Sequence, residues 1–256
     1  MADEQRRGDE PATGGERISG ERSGDERISG ELIGGRQEET GFDEEDGRLT
    51  LRERKKLRTR QRISGEATLL FIRRGFDNVT VAEVARAAEV STMTVFNYFP
   101  RKEDLFLDRI PEARELITRA IRERGAGESP LAALRRLALG LLAERHPLAA
   151  VGEGFEHFWR TVLESPALRA RGREVVEEME NTLAALLAEA AGGDAARPGH
   201  DDRLAAALII AAIRVAHADA VARQLGGDPA DEVAVGQEEV LRCTFDALER
   251  ALPGLG

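Results

Sequence analysis

Thr80-Val81-Ala82-Glu83-Val84-Ala85-Arg86-Ala87-Ala88-Glu89-Val90-Ser91-Thr92-Met93-Thr94-Val95-Phe96-Asn97-Tyr98-Phe99-Pro100 reads as two short helices with a tight turn between them. Thr80 and Glu83 stand at capping-box spacing: the threonine hydroxyl caps the third helical N–H, and the glutamate reaches back to the first. Val81, Val84, Ala85 and Ala88 then fall on one side of a helix. Ser91 caps the second helix, which must stop before Pro100, because proline pushes the preceding residue out of helical backbone. Upstream, Thr50-Leu51-Arg52-Glu53 is another capping box. It opens a longer helix expected to run to about Arg74, with Ile63, Ala67, Leu70 and Phe71 on one face, Gly65 as a mild weakness and Gly75 as the stop. Two short helices buttressed by a longer one make a helix-turn-helix.

The second short helix is the expected reader. Val95 and Phe99, four apart, face a core with Phe71, Val84 and Val90, which leaves Thr92, Met93, Thr94 and Asn97 outside, with Tyr98 near the end. Hydroxyls bond to bases or phosphates, an amide pairs with adenine, and methyl and thioether groups touch thymine methyls, so these types suit a major groove. Arg52, Arg54, Lys55, Lys56, Arg58, Arg60 and Arg62 crowd the start of the long helix, where neutralising phosphates adds affinity without sequence information. A basic run alone is as often a solvated helix face. Its conjunction with a capped helix pair is what favours DNA.

The net charge of −10 hides this arrangement. Residues 49–102 hold twelve Lys/Arg against five Asp/Glu, whereas residues 1–48 hold seven against fifteen and residues 103–256 eighteen against twenty-seven. A basic island between two acidic segments points to a local anionic partner. Residues 1–48 carry one aromatic, Phe42, and repeat Glu-Arg-Ile-Ser-Gly-Glu at residues 16–21 and 26–31. Such a segment buries too little to order itself, and we expect a disordered acidic tail, either passive, absent if translation starts downstream, or competing with phosphate for the island.

Other classes recede on composition. Aromatics make up 4% and charged residues 33%, which disfavours strand-rich folds. Cys243 stands alone, against disulfides and cysteine-based zinc sites and in keeping with a cytoplasmic protein; we expect it as a small core residue. The longest purely apolar run, residues 204–213, is far short of the ~20 residues that span a bilayer, and no basic start leads into an apolar stretch, so neither a membrane span nor a secretory signal is expected.

The acidic remainder is punctuated into helices. One is expected from Lys102 to about Arg124, interrupted or kinked at Pro111; others start at Ser129-Pro130 and Ser165-Pro166, with Leu148 to Glu164 between and loosened by Gly152 and Gly154. Asp201 or Asp202 caps the penultimate helix, to about Leu225, and Asp228-Pro229 opens the last, to near Leu252. Residues 204–213 are apolar around the whole circumference, which predicts burial on all sides.

The stretch from Phe71 through Gly75, Thr80, Glu83, Ala85, Ser91, Thr94, Phe96, Tyr98, Phe99 and Lys102 to Leu105 closely resembles the N-terminal domain of the TetR (tetracycline-repressor-like) family of bacterial transcriptional regulators, over about residues 53–107. Two departures stand out: Glu89 where the family often has glycine, which strains the turn, and Phe96 where it often has tyrosine, a lost hydroxyl that Tyr98 partly replaces. The resemblance implies an all-α chain: a helix-turn-helix domain over residues 49–106 and a helical ligand-binding and dimerisation domain over residues 107–256. It implies that Thr80 and Lys102 hold phosphates, beside Arg54 and Lys55 of the basic run, while Thr92, Met93, Thr94, Asn97 and Tyr98 approach the groove. It further implies a homodimer through the last two helices, double-stranded DNA with a palindromic operator as partner, and an unidentified small-molecule effector that shifts the spacing of the two reading heads. Repression is the expected outcome, with activation open. Phe155, Phe158, Trp159, Met179 and His217 are the candidate pocket residues, though plain core is the commoner role of such side chains. No cofactor and no metal are expected.

An all-helical enzyme is the competing class. None of His146, His157, His200 and His217 follows a glutamate at the spacing a di-iron bundle needs, and no nucleophile elbow, zinc helix, phosphate loop or dinucleotide fingerprint occurs. An interaction module with a helix-turn-helix that no longer reads DNA is a third class, against which the basic island argues.

Overall fold

The computed structural model describes residues 50–255. The tail expected over residues 1–48 lies outside them. All regular structure among the described residues is helical.

Three helices and a turn build the head. Helix α1 (Leu51–Arg74) starts at the Thr50/Glu53 box, with the Glu53 N–H donating to the Thr50 hydroxyl at 3.3 Å and the Thr50 N–H to Glu53 at 2.8 Å. It ends at Gly75, whose φ of 80° suits glycine. After a 3₁₀ turn (Phe76–Asn78) come α2 (Val81–Ala87) and α3 (Thr92–Tyr98), capped by Thr80 and Ser91 as expected. Ile63, Ala67, Phe71, Val84, Val95 and Phe99 are almost wholly buried together. Glu89, at the position where glycine is usual, holds a φ of 50°.

The connection to the body takes the interrupted form of the helix expected there, not the kinked one. A four-residue helix α4 (Glu103–Phe106) closes first, and α5 (Ile110–Arg122) starts afresh with Pro111 in its first turn. Proline lacks an N–H that the first turn does not need, so it opens α5 instead of kinking a longer helix. The body continues with α6 (Pro130–Ala143), a 3₁₀ turn (Pro147–Ala149), α7 (Phe155–Glu164), α8 (Pro166–Ala190), α9 (His200–Leu225) and α10 (Ala230–Ala251). Helix α7 is shorter than expected, because Ala150 and Gly154 take left-handed backbone before it. Gln224 stitches that loop down, accepting from Gly152 N–H at 3.1 Å and donating to the Ala150 carbonyl at 2.9 Å. Neither Asp201 nor Asp202 is the N-cap of α9; Gly199 is, and Asp202 accepts its N–H at 2.8 Å.

Helix α9 packs against both α8 and α10, and these three, with α5 and α6, enclose Leu183, Leu187, Ala206, Ile209 and Phe245. The expectation that residues 204–213 are buried on all sides fails within the chain. Ala205, Ala206 and Ile209 are inside, but Leu204 and Leu208 are 48% and 41% exposed, since one side of α9 has no neighbour. Helix α9 is long and apolar enough to cross a bilayer by length and composition, although its other side packs on α8 and α10. Cys243 is exposed on α10, not in the core: its thiol contacts Glu239 at 3.5 Å, and that acceptor pushes its pKa up.

Head and body share side chains. Leu168 of α8 is fully buried in the head's core, and Phe158 of α7 packs on it. Polar ties reinforce the seam: Ser165 donates to Asp77 at 3.0 Å, Arg171 pairs with Asp104 at 3.0 Å, and Arg101 pairs with Glu174.

Candidate nucleic-acid interface and effector cavity

Helix α3 turns Val95 inward and leaves Thr92, Met93, Phe96 and Asn97 exposed. These four fall at helical spacing on one side. Met93 is 70% exposed and Phe96 44%, a large apolar surface for a head whose core is otherwise closed. Phe96 is the residue that the sequence passes over as a contact. Its place four after Thr92 and three after Met93 is the signal that finds it.

The remaining candidates are placed unevenly. Thr94 is half-buried, its hydroxyl 2.8 Å from that of Ser91, so its hydrogen-bonding group is engaged in the cap. Tyr98 is half-buried against the head's core. Thr80 is exposed at the start of α2, where its hydroxyl donates to Glu83 at 2.8 Å. Glu83 is held down to a pKa of about 2, first by the Thr80 N–H, then by the Thr80 hydroxyl and by Arg74, whose guanidinium lies 2.9 Å away.

Lys102 departs furthest from expectation. Its ammonium donates to the Phe76 carbonyl at 2.5 Å and lies 4.1 Å from the Phe76 ring centroid and 5.5 Å from that of Phe71. Burial pulls its pKa below the usual lysine value, against the pull of Asp77, Glu103 and Glu83. It pins the segment after the reading helix to the first turn after α1. Arg60 is likewise occupied, over the Phe99 ring at 4.7 Å and donating to the Asp108 carbonyl at 2.8 Å. Arg54 is half-buried. Arg52, Lys55, Lys56, Arg58 and Arg62 are exposed along α1, a cationic strip on the helix that supports the reader.

Residues 65–108, which hold this reading face, match the family model described as "Bacterial regulatory proteins, tetR family". The HTH-type transcriptional regulator TcmR of Streptomyces glaucescens is 35% identical over 147 residues, covering 56% of this chain and 65% of that protein. The chain is thus similar to the tetR family of bacterial regulatory proteins over its helix-turn-helix segment, and to TcmR over a longer stretch. The Fatty acid metabolism regulator protein of Bacillus subtilis is 29% identical over 143 residues, 54% of this chain and 71% of that one. Among solved structures, a putative TetR-family transcriptional regulator from Mesorhizobium loti shares the fold with a TM-score of 0.50 at 20% identity, over 76% of this chain and 96% of that one. The chain spans a little under two thirds of the length of its TcmR relative.

The body of the chain holds a partly open cavity of about 160 Å³. Helix α5 contributes Ala113, Leu116 and Ile117; α6 contributes Leu134, Leu137 and Leu141; α9 contributes Ile209, Ile213 and His217. Gln237 and Leu241 of α10 complete the far wall. Of the five expected pocket residues only His217 lines it. Phe155, Phe158 and Trp159 form an aromatic cluster of their own, with ring centroids of neighbouring pairs 6.0 and 5.1 Å apart, and Met179 is buried in α8. The sequence pointed to aromatics, but the lining is leucine, isoleucine and alanine from five helices, which periodicity cannot tell from packed core.

Proposed function

We propose that this chain is a DNA-binding transcriptional regulator of repressor type, acting in the cytoplasm as a homodimer on a palindromic operator and released by a small molecule held in its body. The observation that carries it is the exposed face of α3, backed by the cationic strip of α1. Thr92, Met93, Phe96 and Asn97 read base edges, with Thr94 and Tyr98 at the margin; Arg54, Lys55 and Thr80 meet phosphates; Lys102 acts through the turn that it pins.

The unpartnered side of α9 supports the dimer. Leu204, Leu208, Ala211, Val215, Ala218 and Ala222 recur at alternating four- and three-residue steps, the seam of paired helices, and Val215 is 64% exposed. Two-fold pairing through this seam brings two reading helices to successive major grooves. The cavity supports the effector. Helix α5 lends it Ala113, Leu116 and Ile117 and leads back through residues 107–109 to α4, whose Leu105 and Phe106 lie in the head's core. A ligand works only through its different affinity for two head spacings.

Selection of bound sequences from random DNA tests the reading. A palindromic consensus with half-sites about 10 base pairs apart, or a multiple of that, is expected. No enrichment, or an unpaired half-site, would sink it.

A further inference from the structure

Two glutamines in the body meet opposite fates. The Gln224 amide is satisfied at both ends, by Gly152 and Ala150. Gln237, only 2% exposed, has no hydrogen-bond partner at either Nε2 or Oε1, and it faces the cavity. A buried amide left without partners is costly, so a side chain of leucine shape would serve the core better there. His217 is the other polar group in the lining. Its Nδ1 lies 2.9 Å from the Ile213 carbonyl. A carbonyl oxygen only accepts, so Nδ1 carries a proton there. All other lining residues are aliphatic, and no Asp, Glu, Lys or Arg is among them.

We propose that the cavity takes an uncharged, mainly apolar small molecule whose hydroxyl or amide group pairs with the Gln237 side chain. The inference rests on the effector reading above and names the chemical class of the effector. The ligand group must both donate and accept, since the Gln237 amide offers one donor end and one acceptor end. Charge is disfavoured: no Asp, Glu, Lys or Arg lines the cavity, so an ammonium would be buried without a counter-ion and a carboxylate would find only the single imidazole of His217. Size is bounded as well: an apolar cavity of about 150 Å³ holds one benzene ring, so the part enclosed here is about one ring or a short branched chain.

The test measures binding to the full chain by calorimetry with three probes of one shape: 4-ethylphenol, ethylbenzene and 4-ethylbenzoate. The wild-type chain is expected to bind 4-ethylphenol roughly fivefold to tenfold more tightly than ethylbenzene, the factor for one net hydrogen bond, and 4-ethylbenzoate most weakly. In Gln237→Leu and Gln237→Met, both of which remove the orphaned amide and keep the core apolar, that preference should fall to near one. An unchanged preference in both variants, benzoate binding as tightly as the phenol, or no binding by any probe overturns the proposal. DNA affinity with and without each probe is followed in parallel on a selected operator. A preference that vanishes in the variants, with operator affinity unmoved by any probe, upholds the ligand class and removes the effector reading. Operator release by a probe, with the preference unchanged in the variants, does the reverse.

Discussion

Phe106, the last residue of α4, and Phe158, in α7, stack with ring centroids 4.8 Å apart and planes 17° apart. Phe106 also meets Phe71 of α1 edge-on at 5.8 Å, so one line of rings runs from the long helix of the head into the body. Leu168 enters the same core from α8. The reading helix therefore rests on a core that body helices help to build, and a movement of α7 or α8 reaches it through rigid contacts, not through a loose linker.

Replacing Phe158 by alanine removes the ring on the body side of that line. We expect a loss of about 2–4 kcal/mol in stability, somewhat below the ~3–5 kcal/mol for a phenylalanine deleted from a closed core, because Phe158 is half-buried. Operator affinity should fall less than the coupling between a cavity ligand and operator release, because α3 keeps its own core. Denaturant unfolding and operator titrations with and without ligand measure both; full coupling in a destabilised Phe158→Ala chain would refute the route through this stack.

Lys102 and Lys55 are predicted to separate two uses of a lysine. Lys55→Met should lower the slope of log affinity against log salt by about one, the signature of one lost phosphate contact, on operator and random DNA alike. Lys102→Met should leave that slope unchanged and cost about 1–2 kcal/mol of stability, because it removes a charged hydrogen bond to the Phe76 carbonyl and two ring contacts. A drop of one in the slope for Lys102→Met would return it to the phosphate-binding set.

The contrast between these lysines marks what the sequence makes legible. Thr50, Thr80, Ser91, Ser129 and Ser165 all cap the helices they were expected to cap, since a cap and the N–H it serves lie within three residues. The inward set of α3, Val95 and Phe99, is legible for the same reason of short range. The partner of Lys102 is 26 residues away, and nothing at position 102 announces that its ammonium turns inward. The cavity is less legible still. Its wall is assembled from helices spread over residues 113–241, and an unpaired glutamine looks in sequence like any surface glutamine. The exposure of Leu204 and Leu208 depends on what covers α9, which one chain does not contain.

Acid should act on the start of α2. The folded-state pKa of Glu83, about 2, lies below its ordinary 4.5, so the contribution of this box is complete above about pH 4.5 and is lost as pH falls toward 2. Glu83→Gln keeps an acceptor for the Thr80 N–H but cannot ionise. The wild-type chain should exceed this variant in stability at neutral pH, and the gap should narrow steadily below about pH 4.5. Denaturation midpoints across that window provide the check, and a gap independent of pH would contradict the assignment.

Glu89 offers a stabilising change. With a φ of 50° it holds left-handed backbone that costs a side-chain-bearing residue roughly 1–2 kcal/mol, and it is exposed, with little packing to lose. Glu89→Gly should gain about 0.5–1 kcal/mol after the extra entropy of glycine in the unfolded chain is subtracted. A lower denaturation midpoint in this variant would mean that the glutamate has a role beyond the turn.

Leu208 sits at the middle of the uncovered stripe of α9, 41% exposed, with Leu204 one turn before it and Val215 two turns after. If the stripe is the seam of a homodimer, a charge at its centre is buried without a partner in the pair but stays in water in the single chain. Leu208→Glu should therefore leave the helical circular dichroism signal near its wild-type value while shifting the mass in sedimentation from two chains to one. The same variant should lose most of its affinity for a palindromic operator and little of its weak binding to random DNA, because only the paired chain joins two half-sites. A variant that still sediments as a pair would move the interface elsewhere and leave the stripe of α9 without an occupant.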